Sequence, residues 1–239
     1  VIRGKGLKVR RYEGVFFLYR APPHLHVIVT APFERYLQGV VPAEVPSSWH
    51  PEALRAQAVA ARTYAAFQID QTLKTWGTRV YDVDDTVFYQ AYLGEGARRE
   101  STDEAVTATQ GEILKYGADL AITFFHADSG GITESANAVW DLPEELPYCT
   151  GKKEVYDLSL VKSDWEVLIP LEKVQKRLKL SGPIQSARIA DELAPSGRPQ
   201  TLVLTETAAD GSLHERRYEM SKVQTQLFLR SGYFSVQLE

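Results

Sequence analysis

The sequence predicts an α+β fold: one domain over residues 1–239, with mixed β-strands packed around a buried alanine-rich helix. Three observations predict it. The runs "VFFLYR" at 15–20 and "LHVIVT" at 25–30 are rich in aromatic and β-branched residues, the composition of strands. The stretch 51–69, "PEALRAQAVAARTYAAFQI", holds seven alanines. These combine high helix propensity with side chains small enough for close-packed neighbours. Towards the C-terminus, "QTLVLTET" and "HERRYEM" flank Asp210-Gly211, a strong hairpin signal. Hydrophobic residues are 44% of the 239 and charged residues 24%, so the chain can bury a substantial core.

In chain order, the strands within 7–30 turn at "APPH" and belong to the same domain as the rest of the chain. Pro51 opens the helix of 51–69, because a proline in the first turn loses no intrahelical bond. Ser48 or His50 precedes it as N-cap. Glu52 and Arg55 can pair at i,i+3, and Arg55 and Arg62, seven apart, share a face. "YDVDDT" at 81–86 is a turn before the apolar-aromatic run "VFYQAY". "STDEAVTATQG" reads as a helix ending at Gly111, with Asp103 and Glu104 near its positive end. "EILKYGADLAITFFHA" reads as a hairpin turning at Gly117. "LEKVQKRLKLSG" reads as a short exposed helix capped by Gly182. "APSGRP" at 194–199 is a loop between layers, and "LRSGYFSVQL" closes the chain.

A net charge of −4 lacks the basic excess of a nucleic-acid binder, so no nucleic-acid partner is expected. No window approaches the roughly 20 apolar residues of a membrane span. Residue 1 is not Met and no charged-then-apolar leader is present. A processed product whose targeting segment has been removed is the expectation. The single cysteine, Cys149, excludes an internal disulfide.

The chemistry concentrates in two stretches. In "VVPAEVPSSW", Glu44 lies between Pro42 and Pro46 with valines on both sides. One reading is an aimed carboxyl whose lost hydration favours the protonated form, as a general acid needs. The other is an exposed glutamate at the positive end of the following helix. In "FFHADSGGITE", the paired Gly130 and Gly131 permit positive φ or close approach to a ligand. Ser129, Thr133 and Glu134 add hydroxyls and a second acid. The alternative is a tight loop with Asp128 capping its own turn.

Ser129 lacks a G-x-S-x-G elbow, and Ser159-x-x-Lys162 lacks its companion motifs, so a serine hydrolase is the weakest reading. His126, Asp128 and Cys149 are too few for a structural zinc, which leaves His126 packed or hydrogen-bonded. Asp82, Asp84 and Asp85 lack a calcium-loop pattern and form a turn. Trp49, Trp76, Trp140, Tyr81, Tyr89 and Tyr148 lie in or beside these loops, either as sugar-stacking faces or as core anchors. Arg62, mid-helix among alanines, is expected inside the fold with an acid against it. Glu134 or a backbone carbonyl is favoured over Glu44 as its partner.

Taken together, "YLQGVVPAEVPSSWHPEALRAQAVAARTYA", "DDTVFYQAY", "EAVTATQGEIL", "FFHADSGGITESANAVW", "LPYCTGKKE", "SGRPQTLVLTE" and "LRSGYFSV" occur in an order that resembles the stage II sporulation protein D (SpoIID/LytB) family. The resemblance spans roughly 33–238. It implies a peptidoglycan lytic transglycosylase that cuts the MurNAc–GlcNAc bond, leaves a 1,6-anhydro sugar, and works outside the cytoplasmic membrane. The family's catalytic glutamate, in its V-V-P-x-E motif, falls on Glu44. By the same resemblance Ser129, Gly130, Gly131, Thr133 and Glu134, with Trp49, Trp140 and Tyr148, would line a substrate cleft and hold the glycan. Arg62 and His126 would support it. Some members bind zinc through cysteines; with Cys149 alone, neither metal nor other cofactor is expected here. Glycan strands and a cell-wall amidase are the implied partners. Part of the family is described as amidase-enhancing, which leaves a non-catalytic glycan-binding enhancer as the alternative.

Overall fold

The computed structural model describes residues 10–75, 80–86, 89–126, 128–140, 142, 144–156 and 164–238. It is α+β, as the sequence predicts, and gathers into two compact units that divide at Phe125 and His126.

The first unit begins with the hairpin β1 (Val15–Ala21) and β2 (His24–Thr30), paired antiparallel from Val15–Thr30 to Ala21–His24. Three helices follow: α1 (Phe33–Glu44), α2 (Pro51–Lys74) and α3 (Glu100–Ala108). A two-residue hairpin, β3 (Lys115–Tyr116) and β4 (Asp119–Leu120), turns at Gly117, whose φ is +63°. α2 is the expected alanine-rich helix. His50 is its N-cap, its Nδ1 accepting from the Glu52 N–H at 3.3 Å, and Pro51 occupies the first turn. Arg55 donates to Glu52 at 2.6 Å. The buried face of α2 meets α1 and α3 rather than a layer of strands. Alanine side chains let helices approach closely, and Ala58 and Ala61 pack in a core with Leu37, Val40, Val41, Leu54 and Val106.

α1 differs from the sequence reading, which placed no helix there. Phe33, Leu37, Val40 and Val41 recur at helical spacing and bury the helix on its neighbours. Pro42 sits in the last turn, where its missing N–H removes only one bond.

The second unit is built on a three-stranded antiparallel sheet, β5 (Ile184–Ile189), β6 (Thr201–Thr207) and β7 (Leu213–Glu219), in the order β5-β6-β7. Helices α5 (Leu171–Leu178) and α6 (Met220–Leu227) cover one face, and α4 (Ala136–Val139) is a single turn. β5 and α6 were not read from the sequence, and "LRSGYFSVQL" forms no strand. The expected cap of α5 moves. Lys179, in the left-handed conformation at φ +57°, ends the helix instead of Gly182. Gly182 is needed for another reason, since a Cβ there would lie 1.8 Å from the Thr207 carbonyl oxygen.

Glu206 pins that crossing. It lies on the same face of β6 as Leu202 and Leu204 and is 1% exposed. Its carboxylate accepts from Arg216 Nε at 2.8 Å and from the Ser181 and Gly182 N–H groups at 2.5 and 2.9 Å. The Arg216 guanidinium, then these N–H donors, hold the carboxyl below its usual range. A carboxylate with a depressed folded pKa contributes stability above its unfolded pKa of about 4.3, and that contribution disappears as pH falls through the folded value. Glu206→Gln is therefore expected to flatten the acid limb of a urea-midpoint-versus-pH curve. An unchanged acid limb would show that Glu206 carries none of it.

Candidate active site

α1 delivers Glu44. It is the last residue of that helix, one turn beyond the buried Val40, and is itself half-buried. This corrects the alternative that tied Glu44 to the positive end of α2: it lies instead at the negative end of α1. Val45 closes the helix, 8% exposed, its N–H on the Val41 carbonyl at 3.1 Å. Glu44 Oε1 accepts the Ala91 N–H at 2.6 Å. Oε2 takes no hydrogen bond among the described residues.

Tyr36 lies near this carboxyl, and other tyrosines lie near Tyr36. Tyr36, on α1, donates its hydroxyl to Gln90 Oε1 at 3.3 Å and lies 5.0 Å, ring to ring, from Tyr92. Burial pushes the Tyr36 phenol well above its ordinary value, helped by Tyr92, Tyr64 and the carboxylates of Glu44 and Asp84. Burial raises Tyr64 in the same way, and lifts Tyr92 to about 12. Each therefore remains a protonated hydrogen-bond donor through the neutral range. The Asp84 carboxylate is engaged in the turn expected of "YDVDDT", accepting the Thr86 N–H at 2.8 Å and its hydroxyl at 2.6 Å. Asp85 pairs with Arg10 at 2.7 Å.

Arg62 is inside the fold as expected, 1% exposed, but its acid is Glu34 rather than Glu134. Nε and Nη2 donate to the two Glu34 oxygens at 3.0 and 2.9 Å. The remaining N–H groups reach Thr109 Oγ1 at 3.3 Å and the Glu112 and Val106 carbonyls at 3.3 and 3.0 Å. All five donors of the guanidinium are used, and α1, α2 and α3 are tied at one point. Arg55, on the same face one heptad earlier, is exposed, because the neighbours covering Arg62 do not extend to it.

From His126 onward the second stretch belongs to the second unit. Gly130 and Gly131 take φ of +59° and +97°, as their pairing suggested. Asp128 accepts the Gly130 N–H at 2.7 Å, and Ser129 Oγ the Gly131 N–H at 3.2 Å. Thr133 and Lys152 exchange bonds at 2.9 and 2.8 Å. Glu134 accepts the Ser135 N–H at 2.9 Å and the Ser196 hydroxyl, and Arg198 donates to the Ser129 carbonyl. The loop is thus held by its own hydrogen bonds. Ser129 is 9% exposed and has no imidazole against it in the described contacts.

The remaining expected residues fall in both units. Trp49, in the turn before α2, is exposed, as is Trp140 just after α4, while Tyr148 is half-buried. His126, expected to be packed or hydrogen-bonded, is exposed and so is not packed. Burial pushes the Cys149 thiol up, so no thiolate is ready there. Among the described residues no three His, Cys, Asp or Glu side chains gather as a metal site requires. Trp76, Ser159 and Lys162 lie outside the described residues. The sequence reading missed Glu34 and Gln90.

Comparison with known proteins gives the same direction. Residues 23–116, which include Glu44, Arg62, Gln90 and Ala91, match the model of a family described as stage II sporulation protein. The amidase enhancer of Bacillus subtilis (strain 168) is 32% identical over 220 residues, covering 84% of this chain and 29% of that protein. Stage II sporulation protein D of the same organism is 33% identical over 156 residues, 61% of this chain and 42% of that one. An uncharacterized protein of Brachyspira hyodysenteriae is 42% identical over 118 residues, 49% of this chain and 31% of that one. The chain spans less than half the length of each of these relatives.

Proposed function

Because the chain belongs to the stage II sporulation protein D family, we propose that it acts on the cell wall, outside the cytoplasmic membrane, as a peptidoglycan lytic transglycosylase with Glu44 as its acid and base. The observation that carries the reading is the asymmetric holding of the Glu44 carboxyl. Oε1 is fixed by the Ala91 N–H at 2.6 Å and Oε2 is left to carry and transfer a proton. In the first step Glu44 gives that proton to the oxygen bridging MurNAc C1 and GlcNAc, and the C1–O bond breaks. In the second, the Glu44 carboxylate takes the proton of the MurNAc 6-hydroxyl as its oxygen bonds to C1. The 1,6-anhydro ring closes and the acid is regenerated. No water enters, so one carboxyl serves where a hydrolase needs two.

In the second unit the loop Ser129–Glu134 would contact glycan, with Trp140 and Tyr148 offering aromatic faces to sugar rings, and in the first unit Trp49 would offer another. Ser129 shapes its loop, its Oγ accepting the Gly131 N–H, and in this reading it is no nucleophile, since no imidazole stands against it among the described contacts to activate it. Removing one neutral hydrogen bond is worth about 0.5–1.5 kcal/mol, so Ser129→Ala is expected to slow turnover by less than roughly tenfold. Total inactivation, or covalent capture by a serine-directed reagent, would restore the hydrolase reading.

A second reading has its own support. The relative named amidase enhancer aligns with 84% of the chain, and an enhancer would bind glycan and act through a separate amidase. Incubating the purified protein alone with peptide-free glycan strands discriminates the two. Fragments released without any amidase support the enzyme. Glycan binding without fragments, together with faster digestion by an added amidase, supports the enhancer.

A further inference from the structure

We propose that Gln90 is a positioning residue for Glu44: its buried amide locks the 89–93 segment onto α1 and α2 so that the Ala91 N–H meets the carboxyl. The proposal rests on the reading of Glu44 as proton donor. Gln90 is fully buried. A buried primary amide is costly unless both its ends are bonded, and here both are. Its carbonyl accepts the Tyr36 hydroxyl of α1 at 3.3 Å, and its NH2 donates to the Ala61 carbonyl of α2 at 3.3 Å. The next residue in the chain supplies the 2.6 Å bond to Glu44 Oε1.

The other side of the segment is fixed as well. The Leu93 N–H donates to the Gly39 carbonyl at 3.4 Å. The Tyr92 ring packs so closely on Gly39 that a Cβ there would lie 2.5 Å from it. The 90–93 backbone is thus held at both ends, and the Gln90 amide is the end adjoining the carboxyl. Loosening it frees Glu44 to turn, so that its two oxygens become equivalent and the proton is no longer aimed.

The test compares wild type with Gln90→Met, which keeps the volume and removes both bonds, and Tyr36→Phe, which removes only the hydroxyl and covers the case in which Gln90→Met fails to fold. A misplacement of about 1 Å can lower turnover by on the order of 100-fold. The expected result is a kcat lower by roughly 10- to 100-fold for Gln90→Met, a smaller loss for Tyr36→Phe, and little change in KM for either. A purely structural residue would lower the folded fraction and leave kcat per folded molecule alone. An NMR readout is independent of turnover. The Ala91 amide proton, hydrogen-bonded to the Glu44 carboxyl, is expected to move in both variants and in Glu44→Gln, while amides of α3 keep their positions. An unmoved Ala91 amide, or wild-type kcat per folded molecule, would overturn the proposal. Should the wild type show no turnover, the donor reading of Glu44 fails, and the Ala91 amide alone decides whether Gln90 holds that carboxyl.

Discussion

Glu44→Gln is expected to lower glycan cleavage by at least about 100-fold, the scale of positioned acid–base catalysis, with the fold intact. The substitution keeps the side-chain length, and the amide oxygen can still accept the Ala91 N–H now bound at 2.6 Å. What disappears is the transferable proton on the free oxygen. Release of soluble fragments from peptide-free glycan gives the rate, and the thermal midpoint reports the fold. A Glu44→Gln protein that digests glycan at the wild-type rate, with an unshifted midpoint, would move the chemistry to another residue.

Arg62→Met is expected to destabilise the first unit by about 3–5 kcal/mol, the range for breaking one side of a buried ion pair. The guanidinium is 1% exposed and engages a carboxylate, a hydroxyl and two carbonyls from α1, α3 and the segment after α3. Methionine fills much of the space but leaves Glu34 and the Val106 carbonyl without their partner. The measurement is urea unfolding, where the midpoint should fall with the slope unchanged. Arg62→Lys should recover only a fraction, because one ammonium cannot reproduce the bidentate grip on Glu34. A loss below about 1 kcal/mol for Arg62→Met would place Arg62 among ordinary surface pairs.

The sequence made legible those elements whose signals are local. α2 announced itself through Pro51, His50 and its alanines, and β1–β2, β6–β7 and the Gly117 turn through composition and turn residues. The paired positive φ values at Gly130 and Gly131 were readable for the same reason. Other features depended on recognising α1. The 3.6-residue pattern of Phe33, Leu37, Val40 and Val41 went unread, and with it the half-buried place of Glu34 against Arg62. On a helix, Glu34 shares a face with Leu37 and Val41, so a carboxylate on an apolar face would have asked for a buried cation, and Arg62 was already in search of an acid. Gln90 carried no such signal, because its role depends on two helices distant in sequence. The division of the chain at Phe125 and His126 coincides with no proline-, glycine- or serine-rich linker. Lys179 in the left-handed conformation displaced the expected Gly182 cap, since close approach to Thr207 already required that glycine elsewhere.

The claim that Glu44 drives an intramolecular attack is tested most directly by the mass of the sugar ends left when the protein alone digests peptide-free glycan in isotopically heavy water. Anhydro MurNAc ends, one water lighter than hydrolytic ends and carrying no heavy oxygen, are the predicted result, absent in Glu44→Gln. Reducing ends that have incorporated solvent oxygen would contradict it, as would glycan that is bound and left intact.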